Sequence, residues 1–405
     1  MDIMIMPKPL KGKIKAVDSK SHVHRLLIAA ALTKDYAEVV TETTSDDIEA
    51  TRSCLAQLEN DHPVFQCKES GSTLRFMMPV SMALKERAVF RCSGRLPKRP
   101  VSPLKEAMEA HGCSFSKRMD GWELDGRLRS GDYIIKGDVS SQYVTGLLFA
   151  LPLLSGHSAI RLTSPLQSES YVDMTIKTLE DSGITVEKRA PGKASSWDKA
   201  SSWDVAAGEF PGGSYLIPGK QKYKAPRSVR PEGDWSNSSF WYAANKMSSR
   251  NNIVCAGLSS RSLQGDKKIS QFLSLLPGKI DVSDTPDLVP PIAAAAAVTL
   301  GTTLITGASR LRLKESDRLR TVSQTLSDLG ADIKELSEGL EIKGKNILTG
   351  GTVSGSGDHR IVMMAAIAAS VCQIPVIISG AEAVNKSYPS FFDDFRKLGG
   401  EAIEI

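Results

Sequence analysis

Two carboxylates, Asp287 and Glu315, stand in segments otherwise crowded with cations. Glu315 lies in SRLRLKESDRLR, among Arg310, Arg312, Lys314, Arg318 and Arg320, and Asp287 follows Pro286 in TPDLVPP. More cations fall in GRLPKRP (Arg95, Lys98, Arg99), in SKSHVHR (Lys20, Arg25), at His359-Arg360 and at Lys386 in NKSYP. A guanidinium suits two-pronged binding of carboxylate or phosphate. A carboxylate retained among so many cations suits acid–base work. Cations spread over separate elements, without a Walker loop, point to two small polyanionic substrates rather than a nucleotide. Without that convergence, each charge run would read as a solvated face.

The elements that must bring these groups together repeat. Six times an acidic residue precedes a short polar run and a long apolar stretch: Asp18, Glu69, Asp138, Asp234, Asp287 and Asp358, hence steps of 51, 69, 96, 53 and 71. The first and last pairs of steps nearly match, which predicts two halves of three units each. A helix that begins at such a site offers unpaired N–H groups and a positive dipole end, and convergent ends make an anion site. Lys20-Ser21 with Arg25 marks the first mouth, Ser70-Gly71-Ser72-Thr73 the second, Ser140-Ser141-Gln142 the third, Asp287 the fifth and His359-Arg360 the sixth.

Each unit also carries a shorter amphipathic segment that ends at Gly112, Gly183, Gly278, Gly330 or Gly399, or once at Asn60. These positions suit left-handed residues after a helix. Strand-like runs such as DYIIKGDV, TTLITG and IPVIISG lie between, so the unit reads β-α-β-α plus further strand. The long helices are apolar nearly all round, which predicts interior helices with sheets about them.

The chain has 405 residues, two domains' worth, and a net charge of +5, too mild and dispersed for a nucleic-acid surface. Its six cysteines show no CxxC or Cys/His ligand spacing and read as reduced thiols of a cytoplasmic protein. MDIMIMPKPL has no signal-peptide pattern. The apolar stretch 361–381 is broken by Gln373 and Pro375, so a buried helix and strand are expected rather than a membrane span. ASSWDKASSWD (194–204) is a short tandem duplication expected to form a surface loop.

The order and wording of the motifs resemble the 5-enolpyruvylshikimate-3-phosphate (EPSP) synthase family. They are SKSHVHRLLIAAAL, SDDIEAT, ESGSTLRF, KRP, GDVSSQYVTGLL, SESY, EGDWSNSSF, PDLVPPIAA, LKESDRL and GDHRIVMMAA, across essentially the whole chain. The resemblance implies an α/β (α+β) fold: a two-domain inside-out α/β barrel, each domain three βαβαββ repeats with buried helices. It implies one domain at 18–231 and another at 1–17 with 232–405, the chain crossing near Val17 and Pro231. The family closes its domains on its substrates.

The implied reaction moves the enolpyruvyl group of phosphoenolpyruvate to the 5-hydroxyl of shikimate 3-phosphate, in aromatic amino acid biosynthesis. By motif position Asp287 resembles the family's base, Glu315 its proton donor, and Lys20 the group that touches both ligands. Shikimate 3-phosphate would be held by Lys20, Ser21, Arg25, Ser140, Ser141, Gln142, Ser168, Tyr171, Asp287 and Lys314. Phosphoenolpyruvate would be held by Lys20, Gly71, Arg95, Gln142, Arg318, Arg360 and Lys386, with the herbicide glyphosate in the same subsite beside Gly71. No metal or organic cofactor is implied, and the sequence has no metal-ligand cluster. A monomer without nucleic-acid or membrane partners is expected. The rival enolpyruvyl transferase, which acts on UDP-N-acetylglucosamine, needs a Lys-Asn pair where this chain has Lys20-Ser21, and a mobile cysteine loop where it has KRP after Cys92. A non-catalytic anion-binding homologue is the reading from another class; Lys20, Asp287 and Glu315 all being present stands against it.

Overall fold

A computed structural model describes residues 1–35, 37–191 and 210–405; the 194–204 duplication lies outside them. The chain divides into two compact units, the first formed by 1–23, 41–49 and 231–405, the second by 24–40 and 50–230.

The repeat predicted from the acidic residues appears as a recurring sheet. In the second unit Val64–Lys68, Arg87–Cys92, Gly121–Gly126 and Cys113–Arg118 lie in that order, joined parallel, antiparallel and antiparallel. Strands Asp132–Ile135, Ser158–Leu162, Ser214–Ile217 and Glu187–Arg189 repeat the pattern. In the first unit Lys279–Asp281, Gly301–Thr306, Gly339–Gly344 and Asp332–Leu336 repeat it again. The sheet of Gly351–Ser354, Val376–Ser379, Ile3–Met6 and Glu401–Glu404 completes the set, with the N-terminal strand in the third place.

The other two repeats exchange strands. Lys11–Lys15, which leads into the first long helix, pairs parallel with Asn252–Ala256, which follows the fourth. Ser228–Val229, ahead of the fourth helix, pairs parallel with Glu38–Val39, after the first. The first pair lies in the first unit and the second pair in the second unit.

The six apolar stretches are helices: Lys20–Leu32, Gly71–Leu84, Ser141–Ala150, Trp235–Met247, Val289–Ala297 and His359–Ala369. Every residue of the last two is buried, as all-round apolarity requires. Ser70, Ser140, Asp234 and Asp358 cap their helices by accepting a backbone N–H. The stretch 361–381 divides as expected into a helix that ends at Ala369 and the strand Val376–Ser379. No helix among the described residues is long and apolar enough to cross a membrane.

Two helix ends differ from expectation. Gly112, Gly183, Gly330 and Gly399 have positive φ, whereas Asn60 is extended at φ −73°. Helix Asp46–Ala56 tightens into a 3₁₀ turn, Gln57–Glu59, and the Asn60 N–H donates to the Gln57 carbonyl (3.1 Å), which takes the place of a left-handed cap. Gly278 is glycine for room: an added Cβ would lie 2.7 Å from the Leu275 carbonyl.

Candidate active site

Helix mouths of the first unit are tied together by hydrogen bonds. The Lys20 N–H donates to Asp234 Oδ2 (3.2 Å), and Arg360 donates to Ser236 Oγ (2.8 Å) and to the Asp287 carbonyl (3.3 Å). Four mouths thus converge, as an anion site requires. Lys20 Nζ donates to Asp47 Oδ2 (2.8 Å). Asp47 belongs to SDDIEAT, to which the sequence reading gave no role.

Arg318, 1% exposed, is the hub of this cluster. Its Nε and Nη2 hold both oxygens of Asp358 (2.9 and 3.1 Å), its Nη1 holds Asp287 Oδ1 (2.8 Å), and its Nη2 also holds Glu315 Oε2 (2.6 Å). Asp358, fully buried, caps helix His359–Ala369 through the Arg360 N–H (3.0 Å) and accepts from Ser316 Oγ (3.1 Å). One guanidinium therefore fixes the two carboxylates read as base and acid. Lys314 Nζ lies 3.4 Å from Asp287 Oδ1, Arg360 Nη2 3.4 Å from Asp287 Oδ2, and Lys386 Nζ 4.0 Å from Glu315 Oε1.

The electrostatics follow from these distances. Burial pushes the Asp287 carboxyl up, but Arg360, Lys314 and Arg318 outweigh it and hold it far below the usual carboxylate range. Burial opposes the Arg318 charge, and Asp358, Glu315 and Asp287 more than offset it. His359 is buried, its Nδ1 3.8 Å from Asp358 Oδ1, and neither ring nitrogen has a hydrogen-bond partner. Burial, then Lys20 and Arg360, push its pKa well down, so the imidazole is neutral.

The second unit gathers a different set. Arg75 Nη1 donates to Gln142 Oε1 (2.7 Å) and its Nη2 to the Pro100 carbonyl (3.2 Å), while Gln142 Nε2 donates to Ser72 Oγ (2.9 Å). The cause is local. Pro79 has no N–H to give the Arg75 carbonyl, and Gly146 packs against that carbonyl so closely that a Cβ there would lie 2.4 Å from it. Helices Gly71–Leu84 and Ser141–Ala150 approach at this point, one turn from Gln142. A buried hydroxyl chain runs from Ser70 through Thr73 (2.7 Å) and Thr51 (2.6 Å) to His24 Nδ1 (2.7 Å).

Arg25 is buried and donates to Thr175 Oγ1 (2.9 Å), Thr145 Oγ1 (3.4 Å) and the Tyr171 carbonyl (2.8 Å). Desolvation lowers its pKa to about 10. Ser168 is a left-handed residue (φ 58°) that starts helix Glu169–Asp181.

The predicted site residues therefore fall in both units. Lys20, Ser21, Asp287, Lys314, Glu315, Arg318, Arg360 and Lys386 lie in the first, and Arg25, Gly71, Arg95, Ser140, Ser141, Gln142, Ser168 and Tyr171 in the second. Arg95 is exposed, ahead of the 3₁₀ turn Leu96–Lys98, and the guanidiniums at Gly71 are those of Arg75 and Arg99. A Cβ on Gly71 would lie 2.7 Å from Arg75 Nη1 and 2.9 Å from Arg99 Nη1. Sequence reasoning missed Arg75, whose place inside an apolar run hid it, although ESGSTLRF contains it.

The profile of EPSP synthase (3-phosphoshikimate 1-carboxyvinyltransferase) matches residues 51–196 and 268–395. The chain belongs to the EPSP synthase family. It is 39% identical to the 3-phosphoshikimate 1-carboxyvinyltransferase of Clostridium kluyveri, over 99% of this chain and 98% of that one. It is 36% identical to that of Clostridium perfringens, over 98% of each. The fold is similar to the crystallographic EPSP synthase of Acinetobacter baumannii, with a TM-score of 0.77, 20% identity and full coverage of both chains. In this member of the EPSP synthase family, the profile spans Gly71, Gln142, Asp287, Glu315, Arg318 and Arg360, whereas Lys20 and Arg25 lie ahead of it.

Proposed function

We propose that the two clusters hold two anionic substrates, and that the enzyme moves the enolpyruvyl group of phosphoenolpyruvate to the 5-hydroxyl of shikimate 3-phosphate with release of phosphate. The observation that carries this reading is the bridging of Asp287 and Glu315 by one buried guanidinium, Arg318, which fixes a base and an acid side by side. Shikimate 3-phosphate is held by Lys20, Ser21, Arg25, Ser140, Ser141, Gln142, Ser168, Tyr171, Asp287 and Lys314. Lys20, Gly71, Arg95, Gln142, Arg318, Arg360 and Lys386 receive phosphoenolpyruvate, with Arg75 and Arg99 beside Gly71. Arg318 also orients the two carboxylates about the donor. The functional domains are 18–231 and 1–17 with 232–405, each an inside-out barrel of three βαβαββ repeats, in a cytoplasmic monomer.

The chemistry follows from the charges. Asp287 takes the hydroxyl proton as that oxygen bonds to C2 of the enol, while Glu315 gives a proton to C3. In the tetrahedral adduct the C2–O bond to phosphate breaks, Glu315 takes a proton back from C3, which restores the double bond, and the departing phosphate carries off the proton held by Asp287. A carboxylate held as low as Asp287 is a weak base. Substrate anions that draw on Lys314 and Arg360 weaken the field on it and raise its proton affinity. The test is phosphate release with phosphoenolpyruvate and each acceptor in turn. Release with shikimate 3-phosphate alone is expected; release only with UDP-N-acetylglucosamine, or none, overturns the reading.

A further inference from the structure

The loop that carries Arg99 to Gly71 is pinned at both ends. At the far end the Pro100 carbonyl accepts from Arg75 Nη2 (3.2 Å) and from the Tyr143 hydroxyl (2.6 Å). At the near end the Ser93 N–H donates to the Lys68 carbonyl (2.7 Å), where the parallel strands Val64–Lys68 and Arg87–Cys92 end with a register shift between Gln66 and Lys68. Lys68 itself is left-handed, at φ 49°. That turn throws the next side chain, Glu69, onto Gly94. A Cβ on Gly94 would lie 1.7 Å from Glu69 Oε1 and 2.5 Å from its carboxyl carbon, and Gly94 has φ +56°. The backbone conformation thus favours glycine at Gly94, and a Cβ there would displace the Glu69 carboxylate.

We propose that Glu69 is a positioning residue for the donor-binding arm: its carboxylate seats on the bare face of Gly94 and sets residues 93–99 so that Arg99 stands at Gly71. Glu69 and Ser70 are consecutive, so one short segment fixes both the helix mouth and the guanidinium that faces it. The ligand class served is a small dianion carrying carboxylate or phosphate, which a correctly placed guanidinium binds with two hydrogen bonds. A planar fork rewards placement, and a displaced loop forfeits both bonds. The inference rests on the proposed reaction and names a residue outside its acid–base pair.

The test is steady-state kinetics on Glu69→Ala, Glu69→Gln, Gly94→Ala and the double variant Glu69→Ala/Gly94→Ala, with thermal midpoints for each. Glu69→Ala is expected to raise the phosphoenolpyruvate KM by about tenfold while the shikimate 3-phosphate KM stays within about twofold, the pattern of a lost donor-binding interaction. Glu69→Gln, which keeps the shape, should restore most of the loss. The double variant should be no worse than the poorer single one, because the two residues form one contact. If the wild type transfers enolpyruvyl but Glu69→Ala leaves the donor KM unchanged, or moves both KM values equally, the inference fails and the reaction stands. If the wild type transfers nothing to shikimate 3-phosphate, the reaction itself fails. Should Glu69→Ala not fold, Gly94→Ala carries the same expectation, and an unchanged donor KM there overturns it.

Discussion

Arg318 in the first unit and Arg25 in the second are both buried guanidiniums, yet their surroundings push them in opposite directions. Arg318 is held by Asp358, Asp287 and Glu315, and its pKa rises. Arg25 is held by two threonine hydroxyls and a carbonyl, and desolvation lowers its pKa to about 10. A guanidinium with carboxylate neighbours is part of the frame: its charge is matched from within. The acceptors named for Arg25 are neutral, which fits the proposal that its charge serves a bound anion. Burial is common to both arginines, and the direction of the pKa shift is not.

The largest effect should come from the acid that Arg318 orients. Glu315→Gln preserves the shape and removes the proton, and kcat should fall by about 10²–10⁴. Stopped-flow or steady-state phosphate release checks this, and retention of a third of wild-type turnover would detach Glu315 from the chemistry. Next is the frame itself. Arg318→Met removes the one cation shared by three carboxylates, leaving Lys314 and Arg360 at Asp287 and Lys386 at Glu315, and should lower stability by about 3–5 kcal/mol in urea unfolding. Arg25→Met should lower it by less than Arg318→Met does, because Thr145 and Thr175 also bond to each other (3.0 Å) and Thr175 to the Tyr171 carbonyl (2.9 Å). Equal losses would erase the distinction.

Titration sharpens the same contrast. The Asp287 pKa is depressed in the fold, so its contribution to stability is complete above the unfolded carboxylate value of about 4 and is lost as pH falls below it. Urea midpoints at pH 5 and pH 3 should fall further for wild type than for Asp287→Asn; parallel losses would mean that the three cations do not act on this carboxylate. The smallest effect is expected at Gly71. Its φ is not positive, and the nearest atoms to an added Cβ are side-chain ends, those of Arg75 and Arg99, rather than backbone. Gly71→Ala should leave the thermal midpoint unchanged and raise the glyphosate inhibition constant more than the phosphoenolpyruvate KM, by a difference of about 10- to 200-fold. Equal movement of both constants would remove Gly71 from the donor subsite.

Local signals carried the repeats and their helix mouths, because an acidic or hydroxyl cap ahead of an apolar run is written in consecutive residues. The exchange of strands between the first and fourth repeats was not legible. Lys11–Lys15 pairs with Asn252–Ala256 across most of the chain, and a parallel pairing leaves no local pattern. At the site, Asp287, Glu315 and Arg318 stood out because charges in a loop are conspicuous. Arg75 did not, since it sits within an apolar helix, and Asp47 did not, since an acid in a first helical turn reads as a dipole partner. That Arg99 stands at Gly71 was not legible either, because it depends on the turn Leu96–Lys98 between Arg95 and Arg99.

The claim that Arg25 is the anion-holding guanidinium is tested most directly by the rise in thermal midpoint as shikimate 3-phosphate is added to wild type and to Arg25→Met. Binding to the folded state alone raises stability by RT ln(1 + [L]/Kd), so a weakened grip appears as a smaller rise at the same concentration. The wild-type midpoint should climb with ligand and that of Arg25→Met should barely move, although the two proteins start within a few degrees of each other. An undiminished rise in Arg25→Met would contradict the account.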